Sequence, residues 1–166
     1  TYALGLYKSI PKIKKIIKGV QITQEELERH AKGMQKFSDV GSLLTSARVT
    51  DVVSIIVAAA LHFDSSDIHV EAEEHDVKVR LRVDGVLQDV ASLPKESWKK
   101  IISRLKLISG LKINVTNRPQ DGRFTIFLNT GNTDVRVSAL PTTWGESVVM
   151  RLLKPAAIEV NFEDLG

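Results

Sequence analysis

Arginine and acidic side chains cluster in four short stretches of this sequence, and these are the residues with which it could do chemistry. Arginine stays charged, and its planar guanidinium group can donate to two phosphate oxygens at once. An arginine held on a rigid element can therefore bind a phosphate and stabilise charge during phosphoryl transfer. The competing explanation is a surface ion pair with a nearby carboxylate. The stretches are 65–71, 80–87, 118–123 and 140–146 with 151–153 beyond.

Two other arrangements could support chemistry, and the sequence argues against both. Asp67, His69 and Glu71 alternate along one face of a predicted strand, as metal ligands could. The chain has four histidines, no cysteine and no second ligand cluster, so we interpret them as a polar surface network and expect no metal. Glu146 could pass for a general base, but a base needs a substrate pocket. We interpret Glu146 as structural and expect no catalytic residue in this chain.

The composition is that of a globular domain. The chain has 166 residues, of which 43% are apolar and 26% charged, enough for one compact domain with a smaller helical extension. The lack of cysteine favours a reducing compartment, so the expected location is the cytoplasm. The longest apolar run, Val52–Leu61, is about half of the roughly 20 residues that span a bilayer. The N-terminus has no signal-peptide pattern, and the ends are those expected of an excised fragment.

Charge and aromatic content argue against a nucleic-acid partner. The net charge of +3 arises from 23 basic and 20 acidic residues that mostly interleave. The lysines of the first 24 residues are interpreted as a solvated helix face. Aromatic residues make up 5% of the chain and do not alternate with basic clusters, as they would on a surface that stacks bases.

Apolar residues at helical spacing predict three helices in the first part of the chain. Thr23 and Glu26 form a capping box before the second helix. Polar residues and glycine at 38–42 predict a break, after which Thr50 and Asp51 can cap the third helix. This third helix is apolar almost all round and should be buried. The predicted helices span residues 11–20, 24–37 and 50–60.

From Ser65 the apolar period changes from 3.6 to 2, which marks the start of a sheet. Asp84 and Gly85 predict a tight hairpin turn, and a helical stripe closed by Gly110 follows. Short turns require antiparallel pairing with helices packed on one face, so the predicted fold class is α+β. The later strands are predicted near 123–128, 134–140 and 147–153.

The four stretches, taken in order, resemble the second N-terminal domain of the type II secretion and type IV pilus assembly ATPases. The pattern of that family is close to SDIH-E, R-R-DG-L, PQDGR, D-RVS-LPT, GE and then RLL. This sequence has matching blocks in the same order over residues 48–166. One block alone, such as the DG turn, would carry no weight, but the ordered set is specific.

The resemblance implies a PAS-like antiparallel sheet with flanking helices over 46–166. Residues 1–45 would form a preceding helical segment, either a linker or the end of another domain. The Walker motifs that bind ATP and Mg²⁺ would lie in a RecA-like motor domain. No G-x-x-x-x-G-K-[ST] segment occurs in this sequence, so the fragment should hold no cofactor and hydrolyse no ATP by itself.

The resemblance also implies partners. These are the motor domains of the same and neighbouring subunits in a homo-hexamer, and inner-membrane platform proteins of a secretion or pilus machine. The implied location is cytoplasmic and peripheral to the inner membrane. The alternative is a stand-alone PAS-like sensing or protein-interaction module. Such a module would bind a small ligand within the sheet, where the alternating pattern offers no convergent polar groups.

Four arginines are the candidate site residues. Arg123 and Arg136 match family arginines implicated in nucleotide contact, with ion pairs to nearby aspartates such as Asp121 or Asp134 as the alternative. Arg82 and Arg151 are interface candidates, and for Arg151 a salt bridge at the strand edge fits equally well. Their neighbours Lys78 and Arg80 are interpreted as solvated or structural charges.

Overall fold

The computed structural model describes residues 22–154 of the chain. Within them, none of the four α-helices is long and apolar enough to cross a membrane. The helix predicted over 11–20 lies outside the described residues. The helices are α1 (Gln24–Ala31), α2 (Phe37–Ser46), α3 (Val49–His62) and α4 (Trp98–Ser109). The strands are β1 (Asp67–Ala72), β2 (Asp76–Val83), β3 (Val86–Pro94), β4 (Gln120–Leu128), β5 (Gly131–Thr142) and β6 (Gly145–Leu153).

The six strands form one antiparallel sheet in the order β3-β2-β1-β6-β5-β4. The first and last strands therefore pair in the middle, and two hairpin-linked halves flank them. The strands β3 and β4, which are consecutive in the chain, lie at opposite edges, with α4 between them in the chain. The predicted α+β fold class, with helices before an antiparallel sheet, is confirmed.

One face of the sheet is apolar and forms the core with α3 and α4. The inward side chains of the central strands, such as Ile68 and Val70 of β1, are fully buried. Helix α3 is buried at nine consecutive positions, Val52–Ala60, as its all-round apolar sequence predicts. The strand alternation leaves the opposite face of the sheet to the polar side chains.

The predicted hairpin turn and the predicted end of the helix at Gly110 are both confirmed. Asp84 and Gly85 have φ values of 51° and 78°, the left-handed conformation that a two-residue hairpin turn requires. Helix α4 ends at Gly110, with φ of 73°. The next N–H group, of Leu111, donates to the carbonyl of Lys106 at 2.8 Å and closes the last turn.

The prediction of a polar break at 38–42 is wrong, because these residues belong to α2. Asp39 caps this helix, and its carboxylate accepts from the backbone N–H groups of Lys36 and Gln35, both at 2.8 Å. These two hydrogen bonds lower the pKa of Asp39. A Cβ at Gly41 would lie 3.1 Å from a β3 carbonyl oxygen, so glycine allows α2 to pack closely on β3. Residue types typical of a break therefore serve as a cap and as a packing position.

Two helix boundaries also differ from the predictions. Helix α1 ends about six residues early, because the following residues form the turn that Asp39 caps. Helix α3 begins at Val49, so Thr50 and Asp51 lie in its first turn rather than cap it. The predicted cap of α1 is confirmed, since the Thr23 hydroxyl accepts from the backbone N–H of Glu26 at 3.2 Å.

The packing of α2 predicts a clear stability effect. Val40 lies in α2 and is fully buried in the core. Val40→Ala should lower the free energy of unfolding by about 2 kcal/mol, through lost burial and the cavity that remains. Urea-induced unfolding of the variant and of wild type measures this difference in free energy. Ser42→Ala on the exposed side of α2 is the control, expected within about 0.5 kcal/mol of wild type. If both changes leave the free energy of unfolding almost unchanged, α2 is not packed against the core as described.

Candidate functional site

Five charged residues form a single row across the polar face of the sheet, and we call them the arginine row. Strand register places Arg82 of β2 opposite Asp67 of β1, and Asp67 opposite Arg151 of β6. Arg151 lies opposite Arg136 of β5, which lies opposite Arg123 of β4. Directly opposed residues share a face and have Cβ atoms about 5 Å apart. The sheet thus brings together all four arginines that the sequence singled out.

The Asp67 carboxylate pairs with both arginines of one half of the arginine row, Arg82 and Arg151. Its side chain is 7% exposed, accepts from Arg151 Nε at 3.0 Å and lies 3.5 Å from Arg82 Nε. Burial by itself raises the pKa of Asp67, but hydrogen bonds from Arg151 and Ser66, assisted by the two guanidinium charges, outweigh it and hold the pKa below its ordinary value. Asp67 is therefore ionised at neutral pH and holds both arginines against the sheet.

The other half of the arginine row, Arg123 and Arg136, is not paired with a carboxylate in this way. Both residues are exposed, and within residues 22–154 no carboxylate oxygen lies within 4.0 Å of either guanidinium. The aspartates that could have paired with them make other contacts. Asp121 accepts from the Ser138 hydroxyl at 2.7 Å, and Asp134 accepts from the Thr125 hydroxyl at 2.8 Å.

This arrangement is suited to bind an anion. Like charges directly opposite each other on neighbouring strands are destabilising, and Arg136 has an arginine on both sides. A bound anion would relieve this repulsion and satisfy the guanidinium donors in bidentate geometry. An open depression of about 620 Å³ lies at this point of the sheet. It is lined by Asp121, Gly122, Arg123, Arg136, Val137 and Ser138.

Two residues beside Arg123 in the PQDGR block, Gln120 and Gly122, have a structural reason. The Gln120 amide accepts from the Lys112 N–H at 2.9 Å and donates to the Lys112 carbonyl at 3.0 Å, which fixes the loop before β4. Gly122 faces the core, where a Cβ would overlap the Ser109 carbonyl oxygen at the end of α4. Only glycine allows this approach. The block therefore fixes β4 against α4 and places Arg123 on the polar face.

Beside the arginine row, the charges of β1 and β2 are paired with each other. Arg80 Nη2 donates to Glu71 Oε2 at 2.7 Å, and Lys78 Nζ lies 3.5 Å from a carboxylate oxygen of Glu73. His69, between these pairs and the arginine row, is largely buried, and burial lowers its pKa, with Glu71 partly opposing the shift. The geometry thus supports the structural interpretation of Arg80.

Sequence reasoning missed a buried ion pair. Lys106 of α4 and Glu146 of β6 have side chains that are 1% and 6% exposed, with Nζ and Oε1 2.8 Å apart. The signal was present, because Lys106 follows Ile102 by four residues and so lies beside the apolar stripe of α4. Glu146 was interpreted as structural, and its burial against Lys106 supports that interpretation.

A comparison with known protein families matches residues 43–166 to the family described as "Type II/IV secretion system protein". The type IV pilus assembly ATPase PilB of Thermus thermophilus is 44% identical over 114 residues, which cover 69% of this chain and 13% of the relative. PilB of Myxococcus xanthus is 39% identical over 148 residues, 89% of this chain and 25% of the relative. Type II secretion system protein E of Xanthomonas campestris is 41% identical over 124 residues, 75% and 22% respectively.

The chain belongs to the type II/IV secretion system protein family, and the resemblance expected from its motif blocks is confirmed. It spans between about an eighth and a quarter of the length of these three relatives. The predicted domain boundary at residue 45 stays a prediction. Helix α1 precedes it and helix α2 runs across it, and the two helices bury Leu27, Val40 and Leu44 in the same core as the sheet.

The paired half of the arginine row predicts a pH-dependent stability. Asp67→Asn should lower the free energy of unfolding at pH 7 by about 1–3 kcal/mol, the range for hydrogen bonds to charged groups. Because the folded pKa of Asp67 is lowered, its contribution is complete above the unfolded value of about 3.9 and is lost as pH falls through the folded value. Denaturant unfolding at pH 7 and pH 3 should show a smaller difference at pH 3. Asp89→Asn, at a 72% exposed carboxylate, is the control. A difference independent of pH would contradict the role of the charge.

The close approach at Gly122 predicts a second effect. Gly122→Ala should lower the free energy of unfolding by about 1–3 kcal/mol, because the added methyl group must displace the end of α4. Gly33→Ala is a matched control, since a Cβ there meets nothing nearer than 3.6 Å. Thermal unfolding of both variants measures the effect, and equal melting temperatures would show that β4 does not need glycine at 122.

Proposed function

We propose that this domain directs Arg123 and Arg136 at the phosphates of a nucleotide held by a RecA-like motor domain. The observation that carries the proposal is the half of the arginine row that has no carboxylate partner among the described residues. Two exposed arginines lie directly opposite each other, with no carboxylate within 4.0 Å among residues 22–154. The parent protein would be an ATPase of type IV pilus assembly or type II protein secretion, as the names of the relatives suggest, and it would work as a hexamer.

The physical basis is electrostatic. Negative charge develops on the phosphate oxygens of a nucleoside triphosphate during phosphoryl transfer, and a guanidinium group close to them stabilises that charge. Arg123 and Arg136 start from Cβ atoms about 5 Å apart, so both can reach the same phosphate group or adjacent ones. Their rigid strands supply positioning, which is most of what phosphoryl transfer requires from a protein.

The nucleotide itself would be bound by the motor domain. This sequence has no Walker A segment to cradle phosphates, so ATP and Mg²⁺ would come with the motor of the same or a neighbouring subunit. The chain on its own would then be inactive as an ATPase. The chemistry would take place at the contact between this polar sheet face and that motor.

Arg82 and Arg151 fit the edge of such a contact. Each uses its Nε toward Asp67, and Arg151 keeps 68% of its side chain exposed. Arg82 also donates from Nη1 to the Gly85 carbonyl at 3.0 Å. The guanidinium donors that remain on both arginines can pair with acidic groups of the motor domain. We further propose that the assembly works at the cytoplasmic side of the inner membrane, against the platform proteins of the pilus or secretion machine.

Replacement of the two phosphate-directed arginines gives a direct test. In the full-length parent, Arg123→Ala or Arg136→Ala should lower kcat by about 10³-fold, the scale of an arginine finger. Lysine should rescue only in part, because it supplies charge without the planar fork. The melting temperature should stay constant or rise slightly, since each change removes like-charge repulsion.

Lys78→Ala is the control for this test. It removes a charge from the same face, one whose partner is Glu73, and should leave kcat within about twofold. If alanine at both arginines behaves like this control, the nucleotide role is wrong. If kcat and the melting temperature fall together, the arginines act through the fold and the proposal fails as well.

A further inference from the structure

The buried ion pair between Lys106 and Glu146 joins the last turn of α4 to the start of β6. Both side chains are almost fully buried, and Nζ lies 2.8 Å from Oε1, although off the favourable hydrogen-bond direction. Two charges removed from water carry a large desolvation cost, and an apolar pair of similar volume is often equally stable. Stability of the core therefore does not explain why charged residues occupy these positions.

The ammonium group of Lys106 has a second partner, in the loop 112–119. It donates to the backbone carbonyl of Val115 at 2.8 Å. The same carbonyl accepts from the Gln120 amide at 3.0 Å, and this amide also binds Lys112. Polar contacts thus run from Glu146 through Lys106 and the loop to Gln120, three residues before Arg123.

A second contact links α4 to the same strand. The carbonyl oxygen of Ser109, in the last turn of α4, lies against the Cα of Gly122, where no side chain fits. Gly122 is adjacent to Arg123. A shift of the last turns of α4, or of the loop that Lys106 holds, must therefore move the backbone that carries Arg123.

We propose that Lys106 and Glu146 are positioning residues for Arg123. Glu146 fixes the ammonium group of Lys106. This group holds the loop 112–119 through the Val115 carbonyl, and Gln120 at the start of β4 binds the same loop, so the position of the loop affects the position of β4. A hydrogen-bond donor is needed at position 106, because an apolar side chain could fill the space but could not hold the Val115 carbonyl. This inference rests on the proposed function of Arg123, and two separate measurements test them.

The test uses the full-length protein with the double variant Lys106→Met/Glu146→Leu. Either single change would leave a lone buried charge and could unfold the domain, whereas the double change keeps volume and apolar packing. The melting temperature should be unchanged or higher. Hydrogen exchange of the Lys112 amide, which donates to Gln120, should speed up about tenfold while β5 and β6 stay protected. The kcat should fall by roughly tenfold to a hundredfold with KM nearly constant, as for a misplaced group.

Two further variants make the test decisive. Lys100→Met changes an exposed lysine of the same helix and should alter neither exchange nor kcat. Gln120→Ala breaks the link without touching the buried pair and should reproduce both effects of the double variant.

The measurements separate the two proposals. If the double variant folds and hydrogen exchange of the Lys112 amide is unchanged, the positioning role is wrong. This holds whether or not Arg123→Ala lowers kcat. Faster exchange of the Lys112 amide with an unchanged kcat would also overturn the positioning role, provided that Arg123→Ala lowers kcat. If Arg123→Ala leaves kcat unchanged, the proposed function fails and takes the positioning role in catalysis with it. A loosened loop and lowered kcat in both the double variant and Gln120→Ala support the inference.

Discussion

The pairing of β1 with β6 is the interaction on which the rest of the structure depends. It joins two antiparallel halves that lie far apart in the chain, and its register sets Asp67 opposite Arg151. The ion pair between these two residues lies at that junction. Without this register, the arginines of β2 and those of β4 and β5 would belong to separate ribbons. With it, they become one row, in which a single carboxylate serves two of the four arginines.

The period of the sequence predicts where the sheet begins and which residues of a regular strand share a face. Alternation identifies the outward residues of every strand, and Asp84 with Gly85 identifies one hairpin. Alternation does not reveal which strands are neighbours, so the direct opposition of Arg123 and Arg136 could not be read from it. The break predicted at 38–42 failed for a related reason. Asp and Gly are typical of both helix caps and loops, and only the packing of α2 on β3 decides between them.

Stability and function make opposite demands on this sheet. Three arginines opposite one another repel, and a buried lysine with a buried glutamate costs desolvation, so neither feature is what a core optimised for stability would contain. Sites that break local rules in this way are where function is expected. The features are also connected, because the polar contacts of Lys106 end at the strand that carries Arg123. These features fit the proposed function, in which the domain holds positive charge in place for an anion.

A structure of the full-length parent with a non-hydrolysable ATP analogue tests this account most directly. The measured quantity is the distance from the guanidinium nitrogens of Arg123 and Arg136 to the nearest phosphate oxygen. The account predicts about 2.7–2.9 Å for at least one of them in an occupied subunit, the range of charge-assisted hydrogen bonds. Occupied sites in which both side chains point to solvent, or pair with carboxylates of the motor domain instead, would contradict it.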